Sequence, residues 1–327
     1  MGNTSFALLS SLAGLVVYLY LLNHHLFALT DGLPKLISCL LVLLLLIFIF
    51  PAVVYVMGPQ WPLPHIVSFL LLLTLFGELR LFLRRARYKG REPVERKGPK
   101  FSLFKPVTTY QLVSLRYEIP CPHINKKPLR TVLLSDFHLN ERTAPQLYEE
   151  AFAIAKEAKP DILILGGDYL GPISMKHDLK RYVASVKGLL GTFGVVGNHD
   201  HWFSRDEIVE TLKSAGVDML GNSHRIVKNH DGEELLIGGC ENPWQRERWQ
   251  ALEDSLPPLR IIASHTPDNI FHLAQDSKAT LVLAGHTHAG QGRIPGYGAA
   301  IIPSFHGRLF DHGHFIVDST HLVVSAG

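Results

Sequence analysis

The chain has 327 residues, 47% of them hydrophobic and 19% charged, with a formal net charge of +3. This composition leaves room for one ordinary domain plus an additional apolar segment. Three cysteines, Cys39, Cys121 and Cys240, are too few and too scattered for a disulfide framework, and their spacing excludes a paired-thiolate zinc site. We expect all three to be unpaired, with a Cys121–Cys240 disulfide as the alternative.

Three long apolar stretches lie before residue 84: Phe6 to Leu29, Leu36 to Met57 and Pro62 to Leu83. Each could span the hydrocarbon core of a bilayer, which takes about 20 residues of helix. Turns with Gly and Pro separate the stretches, and the chain start lacks the basic residues of a cleaved signal peptide. Residues 1–83 are therefore predicted to form a transmembrane segment of about three helices. The alternative is a buried helical hairpin of a soluble protein.

Charges near the end of the third stretch set the expected topology. Glu78 and Arg80 lie inside it, where they could pair or reach toward the headgroups. A basic cluster begins there and continues into the juxtamembrane linker and first strand predicted for residues 84–128, whereas the loop before the third stretch has no Lys or Arg. By the positive-inside rule, the C-terminal domain should face the cytoplasm. Because few aromatic residues interleave with the cluster, anionic lipid headgroups are better expected partners than nucleic acid. The basic residues are Arg80, Arg84, Arg85, Arg87, Lys89, Arg91, Arg96, Lys97 and Lys100.

From Leu129 to Gly327 the sequence has the rhythm of an α/β domain, in which short β-rich apolar runs alternate with helical patterns. One helix is predicted over Thr143 to Ala158. A second begins at the capping-box pattern of residues 204–207 and ends at Gly216. The apolar runs, each predicted as a strand, are residues 131–134, 162–165, 193–196, 261–263 and 280–283.

Residues with metal-ligating side chains follow each of these runs. Open α/β sheets place ligands and chemistry at the carboxyl ends of their strands, so these side chains should meet at one edge. Carboxylates, one Asn carbonyl and imidazoles form a set without sulfur, which suits Mn, Fe, Zn or Co better than Ca or Mg. A carboxylate can bridge two cations, so we expect two divalent transition-metal ions, with Mn as the first choice. The candidate ligands are Asp136, His138, Asp168, Asn198, His265, His286 and His288.

The order of these residues resembles the calcineurin-like metallophosphoesterase superfamily, whose blocks are D-x-H, G-D, G-N-H-[DE], a lone His and G-H-x-H. All five blocks occur in this order between residues 136 and 288. The resemblance implies a hydrolase with a four-layer α-β-β-α sandwich over residues 129–327 and two metals at the shared edge of its sheets. It assigns the ligands of the first metal as Asp136, His138 and His288, those of the second as Asn198, His265 and His286, and the bridge as Asp168.

The resemblance also implies two catalytic residues. His199 matches the non-ligand histidine that contacts the phosphoryl oxygens and helps to protonate the leaving group. Asp200 is expected to orient His199, with capping of the following turn as the alternative. Where protein phosphatases of the superfamily continue the second block as G-D-x-x-D-R-G, this chain has Tyr169 and Leu170. Because the acidic partner and the phosphate-binding Arg are missing, a small-molecule or lipid phosphoester is a better expected substrate than a phosphoprotein.

The stretch from Gly285 to Gln291 is similar to a bacterial branch of membrane-associated members, which includes a membrane-anchored UDP-2,3-diacylglucosamine pyrophosphatase of lipid A synthesis. A multi-pass protein of the bacterial inner membrane with a cytoplasmic catalytic domain suits a diacylated UDP-sugar, because the acyl chains keep the substrate in the bilayer. The expected products are UMP and a lipid sugar 1-phosphate. One alternative is a broad-specificity cell-envelope phosphodiesterase or phosphatase that acts on other lipid or nucleotide phosphates. Another is a non-catalytic membrane scaffold.

Aromatic and basic side chains alternate between Pro243 and Trp249. They could form a lid over lipid or uridine, and the alternative is an amphipathic surface helix that packs its tryptophans. The candidate substrate contacts are Trp244, Arg246, Arg248 and Trp249.

Overall fold

The structure, a computed structural model, describes residues 3–23, 33–57, 63–99, 108, 110–124, 127–245, 249–294 and 298–327. Its N-terminal part contains three helices that are long and apolar enough to cross a membrane, Asn3–Leu21, Leu33–Met57 and His65–Tyr88. This confirms the three predicted apolar helices. Their elements are α1 (Asn3–Leu21), α2 (Leu33–Leu44), a π-helical turn (Leu45–Ile49), α3 (Phe50–Met57) and α4 (Leu63–Tyr88).

Helix α4 continues past the predicted end of the third span at residue 83. Arginine is a good helix former, and Arg85 and Arg87 in the last turn place positive charge near the helix C-terminus, where the helix dipole favours it. The basic cluster therefore starts on the helix itself.

The chain divides into two compact units. The first comprises Met1–Tyr88 and Gly290–Asp311, and the second comprises Lys89–Ala289 and His312–Gly327. Residues 290–311, which belong to the predicted domain of residues 129–327, thus fall in the first unit. Residues 290–311 group with the apolar helices because polar contacts hold them there. Arg308 pairs with Glu78 of α4, and the Ile302 N–H donates to the side chain of Asn23 at 3.1 Å.

In the first unit, residues 290–311 contain a hairpin and one helical turn. Strands β11 (Gln291–Ile294) and β12 (Gly298–Ile301) pair antiparallel, with Arg293 opposite Ala299. A 3-10 turn follows at Gly307–Phe310.

The second unit contains two larger sheets. One is parallel, in the order β3-β4-β5-β6, and the other is mixed, in the order β13-β14-β10-β9-β8-β7. The first consists of β3 (Thr131–Leu134), β4 (Ile162–Leu165), β5 (Gly191–Gly194) and β6 (Asp218–Met219). The second consists of β7 (His224–Lys228), β8 (Glu234–Cys240), β9 (Arg260–Ser264), β10 (Leu281–Ala284), β13 (Gly313–Val317) and β14 (Thr320–Val324). A small antiparallel pair, β1 (Glu95–Lys97) and β2 (Ser114–Arg116), precedes them.

Helices cover the outer faces of these sheets, which gives the predicted four layers. An apolar core with Leu163 and Leu165 fills the space between the parallel sheet and its helices, whereas Ile164 and Ile237 belong to the core between the sheets. Helix α9 (Ile270–Ser277) connects two parallel strands, β9 and β10, and its Ile270 side chain is fully buried. The helices are α5 (Pro145–Glu157), α6 (Lys176–Ala184), α7 (Asn198–Phe203), α8 (Arg205–Ser214) and α9 (Ile270–Ser277).

Two local predictions can be checked directly. Helix α8 begins after Ser204 as predicted, but the Ser204 side chain makes no capping hydrogen bond, so the capping box does not form. Cys39, Cys121 and Cys240 are free, as predicted.

Candidate metal centre

The candidate ligands lie immediately beyond the carboxyl ends of buried strands, as the sequence predicted. Two follow β3, one follows β4, one begins α7 beyond β5, one follows β9 and two follow β10. In that order they are Asp136 and His138, Asp168, Asn198, His265, and His286 and His288.

Five of these residues share a left-handed backbone. Such φ values are uncommon outside glycine and persist where the surrounding structure holds them. Here the N–H of Asp136 donates to the Gly167 carbonyl at 2.9 Å, and the N–H of His138 donates to the Asp168 carbonyl at 3.0 Å. The five φ values are 57° at Asp136, 41° at His138, 55° at Asp168, 68° at His286 and 49° at His288.

Asp136, His138 and His288 form the first group that could hold a metal ion, with one ligand atom of each within 4.8 Å of the others. The Nε2 atoms of His138 and His288 are 3.2 Å apart, and Nε2 of His288 lies 3.4 Å from Oδ1 of Asp136. The Asp136 carboxylate accepts hydrogen bonds from the Ser135 hydroxyl and from the N–H of His286. These donors fix the carboxylate, and sequence reasoning did not identify Ser135.

Asp168, His265 and His286 form a second such group. Nε2 of His265 lies 3.3 Å from Oδ2 of Asp168 and 3.1 Å from Oδ1 of Asn198. The other ring nitrogen, Nδ1, is 2.7 Å from the Gly166 carbonyl, which can only accept, so Nδ1 carries the proton. That bond directs Nε2 of His265 at the centre, as is usual for a metal-binding histidine.

Asp168 lies between the two groups. Its Oδ2 atom is 3.6 Å from Nε2 of His138 and 3.3 Å from Nε2 of His265. Its Oδ1 atom accepts a hydrogen bond from the N–H of His199 at 2.9 Å. Gly197 is required beside it, because a Cβ there would overlap the Asp168 carboxylate and the His265 ring. Asp168 is therefore placed where a bridging carboxylate would be.

The charges of the cluster favour a cation. Burial raises the pKa of Asp168, but the nearby imidazoles, His265 first, outweigh burial and hold the pKa well below its usual range. Burial lowers the pKa of His265, but Asp168 outweighs it and raises that pKa to about 9. Burial and then the charge of His265 lower the pKa of His286 to about 3. A metal ion would meet an ionised Asp168 and a neutral His286, and it would displace a proton from His265.

The Asp200 carboxylate is bonded to the backbone of the site loops. Its Oδ2 accepts hydrogen bonds from the N–H groups of Asp168 at 2.8 Å and Gly197 at 2.9 Å, and its Oδ1 accepts from Tyr169 at 2.9 Å. Both oxygens are thus bonded to backbone, so Asp200 caps α7 and fixes the Asp168 loop. These contacts match the alternative of capping, and the orientation of His199 by Asp200 stays a prediction.

The His199 imidazole lies between the rings of His138 and Trp202, beside the candidate metal ligands. Its ring packs edge-on against His138, with centroids 4.7 Å apart, and lies 4.9 Å from the ring of Trp202. Trp202 and Phe203 are 52% and 62% exposed. Sequence reasoning missed this exposed pair, although two adjacent aromatic residues shortly after the G-N-H-[DE] block could have indicated it.

The predicted substrate contacts occupy different places. The Trp244 ring lies 5.4 Å from His265 and 5.2 Å from His286, beside the second group. Trp249 is only 4% exposed, and its Nε1 donates to the Ser277 hydroxyl at 2.8 Å, so its position indicates packing and not substrate contact. Residues 242–245 form a turn. Arg246 and Arg248 lie outside the described residues.

The residues present fit a pair of divalent ions. Ring nitrogens of His138 and His288 point at each other, and carboxylate and amide oxygens converge on the same space. This donor set, imidazole nitrogens with carboxylate and amide oxygens and without sulfur, suits first-row transition metals.

Comparisons with known proteins agree with this geometry. The profile of the family described as calcineurin-like phosphoesterase matches residues 129–290. Phosphodiesterase YaeI of Escherichia coli K12 is 32% identical over 191 residues, which are 55% of this chain and 67% of YaeI. The metallophosphoesterase YkuE of Bacillus subtilis 168 is 28% identical over 208 residues, 61% of this chain and 71% of YkuE. UDP-2,3-diacylglucosamine pyrophosphatase LpxG of Chlamydia trachomatis is 25% identical over 236 residues, 57% of this chain and 71% of LpxG.

Proposed function

Because the chain belongs to the calcineurin-like phosphoesterase family and is a hydrolase of phosphoester bonds, we propose that it cleaves the pyrophosphate of UDP-2,3-diacylglucosamine at a membrane surface. The products are UMP and the lipid sugar 1-phosphate. The observation that carries the proposal is the presence, in one chain, of a dinuclear ligand cluster and three apolar helices. The similarity to LpxG, which is named for this activity, supports it.

Seven residues hold the two metals in this proposal. Two divalent ions in such a site acidify an attacking water and neutralise charge on the phosphoryl group during in-line displacement. Mn²⁺ is the first choice, and Fe, Zn and Co fit the same donors. One ion would be held by Asp136, His138 and His288 and the other by Asn198, His265 and His286, with Asp168 available to both.

Three further side chains act on the substrate or its surroundings. His199, whose ring borders that of His138, donates a proton to the leaving oxygen. Trp244 covers the rings of His265 and His286 and keeps bulk water from that side. Asp200 positions the Asp168 loop through backbone hydrogen bonds and does not touch the reacting atoms.

Attachment to a membrane would bring the enzyme to the surface where a lipid substrate lies. Three helices anchored in a bilayer confine the enzyme to the surface where a diacylated UDP-sugar is held by its acyl chains, which raises the effective concentration of both. The basic residues at the end of α4 favour the cytoplasmic face of the inner membrane, where they also contact anionic headgroups.

Phosphorus NMR tests the proposal. Full-length protein in nanodiscs with Mn²⁺ should convert UDP-2,3-diacylglucosamine to UMP and the lipid sugar 1-phosphate, without forming UDP. Asp168→Asn should lower the rate at least about 100-fold, because it removes a bridging carboxylate. The products identify both the substrate and the bond that is broken.

A second candidate is a phosphodiesterase of broad specificity. The higher identity to YaeI, 32% against 25% for LpxG, favours it. The same preparation is therefore assayed with bis(4-nitrophenyl) phosphate. Hydrolysis of this diester by Mn²⁺-loaded protein that releases no UMP from the lipid substrate would overturn the pyrophosphatase assignment and support the broad phosphodiesterase.

A further inference from the structure

We propose that membrane helix α4 positions the loop that carries His286 and His288, so that the anchor sets the metal affinity of the enzyme as well as its location. The inference rests on the proposed metal centre. A series of contacts inside the first unit carries it, from Glu78 of α4 to Gly290, which follows the second of these histidines by two residues.

The loop after β10 has an unusual backbone. The φ angle is 68° at His286, 49° at His288, 56° at Ala289 and 77° at Gly290. A left-handed backbone is unfavourable for His and Ala, so neighbouring structure must hold the loop at both ends. At its start, the N–H of His286 donates to the Asp136 carboxylate at 3.0 Å.

The hairpin holds the other end of the loop. Gly290 lies against Ala299 of β12 so closely that a Cβ on Gly290 would overlap the Ala299 methyl group. The antiparallel register sets Arg293 opposite Ala299 and fixes this contact. A displacement of the hairpin would therefore move the backbone within two residues of His288.

Ion pairs connect the hairpin to α4. Arg293 Nη1 lies 2.8 Å from Oδ2 of Asp311, and Oδ1 of the same carboxylate lies 2.6 Å from Nη2 of Arg85. Arg85 also donates to the Arg308 carbonyl, and the Arg308 guanidinium pairs with Glu78. The side chain of Asp311 is 2% exposed.

Glu78 and Arg308 form the buried end of this network. Their side chains are 18% and 9% exposed, and Glu78 lies within a 26-residue helix of largely apolar sequence. A charge in such a place is costly unless it is paired, and a buried pair is strongly disrupted when one partner is removed. The pair accordingly fixes the segment after His288 to the membrane helix.

Charge reversal with rescue tests the inference. Full-length protein in nanodiscs is titrated with Mn²⁺, and free Mn²⁺ is measured by electron paramagnetic resonance. Glu78→Arg and Arg308→Glu should each raise the Kd for Mn²⁺ by about 10- to 100-fold, the range found when groups that orient metal ligands are lost. The double variant should restore the Kd to within about threefold, because the pair is re-formed with its charges exchanged.

An exposed ion pair provides the matched control. Lys278 and Asp254 are 2.6 Å apart, and their side chains are 63% and 76% exposed. Asp254→Lys should leave the Kd unchanged, because such surface pairs contribute little. Glu78→Gln gives a milder change if a reversed charge prevents folding, and it should also raise the Kd.

The outcomes separate the two proposals. Wild-type Kd in all single variants, with or without a lower unfolding temperature, or no restoration in the double variant, would overturn the positioning role. Absence of Mn²⁺ binding by the wild type would overturn the proposed metal centre itself and this inference with it. If the wild type binds Mn²⁺ normally but releases no UMP, the proposed substrate is wrong and the positioning role of α4 is unaffected.

Discussion

Asp200 is fully buried, and its carboxylate accepts hydrogen bonds from the backbone of Asp168, Tyr169 and Gly197. A buried N–H group left without a partner costs about 1–3 kcal/mol. The three bonds therefore stabilise the loop of the bridging carboxylate and the start of α7 together. The sequence predicted both roles for Asp200. The capping bond to Gly197 is local, but the bonds to Asp168 and Tyr169 join residues about thirty positions apart, which no local pattern shows.

Asp200→Ala should lower the unfolding temperature in detergent by about 6–12 °C, since about 3 kcal/mol is lost and 1 kcal/mol corresponds to about 2–4 °C in a domain of this size. Asp206→Ala is the control, because the Asp206 side chain is 98% exposed and should leave the temperature unchanged. Differential scanning fluorimetry gives both values. An unaltered unfolding temperature with a large loss of kcat would instead favour the role of orienting His199.

The segment after β8 carries two tryptophans, Trp244 and Trp249, that occupy different environments. Trp244 packs its ring against His265 and His286, whereas Trp249 lies in the core and donates to Ser277. The alternation of aromatic and basic residues predicted that both tryptophans contact the substrate. A side chain's burial depends on which strand it meets, and Trp249 meets the glycine at position 238 of β8.

Substitution of each tryptophan should separate the two roles. Trp249→Ala should lower the free energy of unfolding by about 3–5 kcal/mol, because it leaves a large cavity in a core. Trp244→Ala should change stability much less but lower kcat/KM about tenfold, because a partly buried ring beside the metal centre contributes mainly to substrate binding. Thermal unfolding and steady-state kinetics on the same samples measure both. The reverse pattern would contradict the assignment.

The edge strand β13 is covered by residues 89–91. The N–H of Gly90 donates to the His314 carbonyl at 3.0 Å, and the N–H of Arg91 donates to Nδ1 of His314 at 2.7 Å. Since Nδ1 accepts, Nε2 carries the proton and donates to His321 at 2.9 Å. The Tyr117 ring lies 5.7 Å from that of His314. Burial first, and then His321, lowers the pKa of His314 to about 4.

This depressed pKa predicts an acid effect on stability. The unfolded chain binds the proton at the ordinary pKa of about 6.5, so stability is present above pH 6.5 and is lost as the pH falls toward 4. His314→Asn retains an acceptor for Arg91 but cannot titrate, so its unfolding temperature should fall less over this range than that of the wild type. His177→Asn, at an exposed position of α6, should keep the wild-type profile. Identical acid profiles for His314→Asn and the wild type would contradict the prediction.

For the whole molecule, local sequence patterns predicted the strands and ligand loops but not the composition of the units. Strands β3 and β4 have the predicted bounds because each is a short apolar run that ends in a turn. The grouping of residues 290–311 with the apolar helices was not predicted, because it depends on pairs such as Arg308 with Glu78 that are distant in sequence. Hairpin β11–β12 is rich in Gly and lacks the apolar alternation that indicates a strand.

Basic residues at the end of α4 predict the membrane topology of the whole chain. Arg84, Arg87 and Arg91 lie at or just after the end of α4, and basic residues within about 15–20 residues of a span are retained in the cytoplasm. A green fluorescent protein fused after Gly327 should therefore fluoresce in a bacterial host, and alkaline phosphatase fused at the same place should be inactive.

The charges themselves can then be tested. Replacement of Arg84, Arg87 and Arg91 by Gln should reduce the fluorescent fraction, because the asymmetry across α4 is weakened, while Arg85 is kept for its pair with Asp311. Replacement of three basic residues beyond residue 129 should leave the topology unchanged, because they lie too far from the span. Active alkaline phosphatase on the unsubstituted chain would place the metal centre outside the cytoplasm. A nucleotide-linked lipid made on the cytoplasmic face could not reach it there, and the broad phosphodiesterase would become the better assignment.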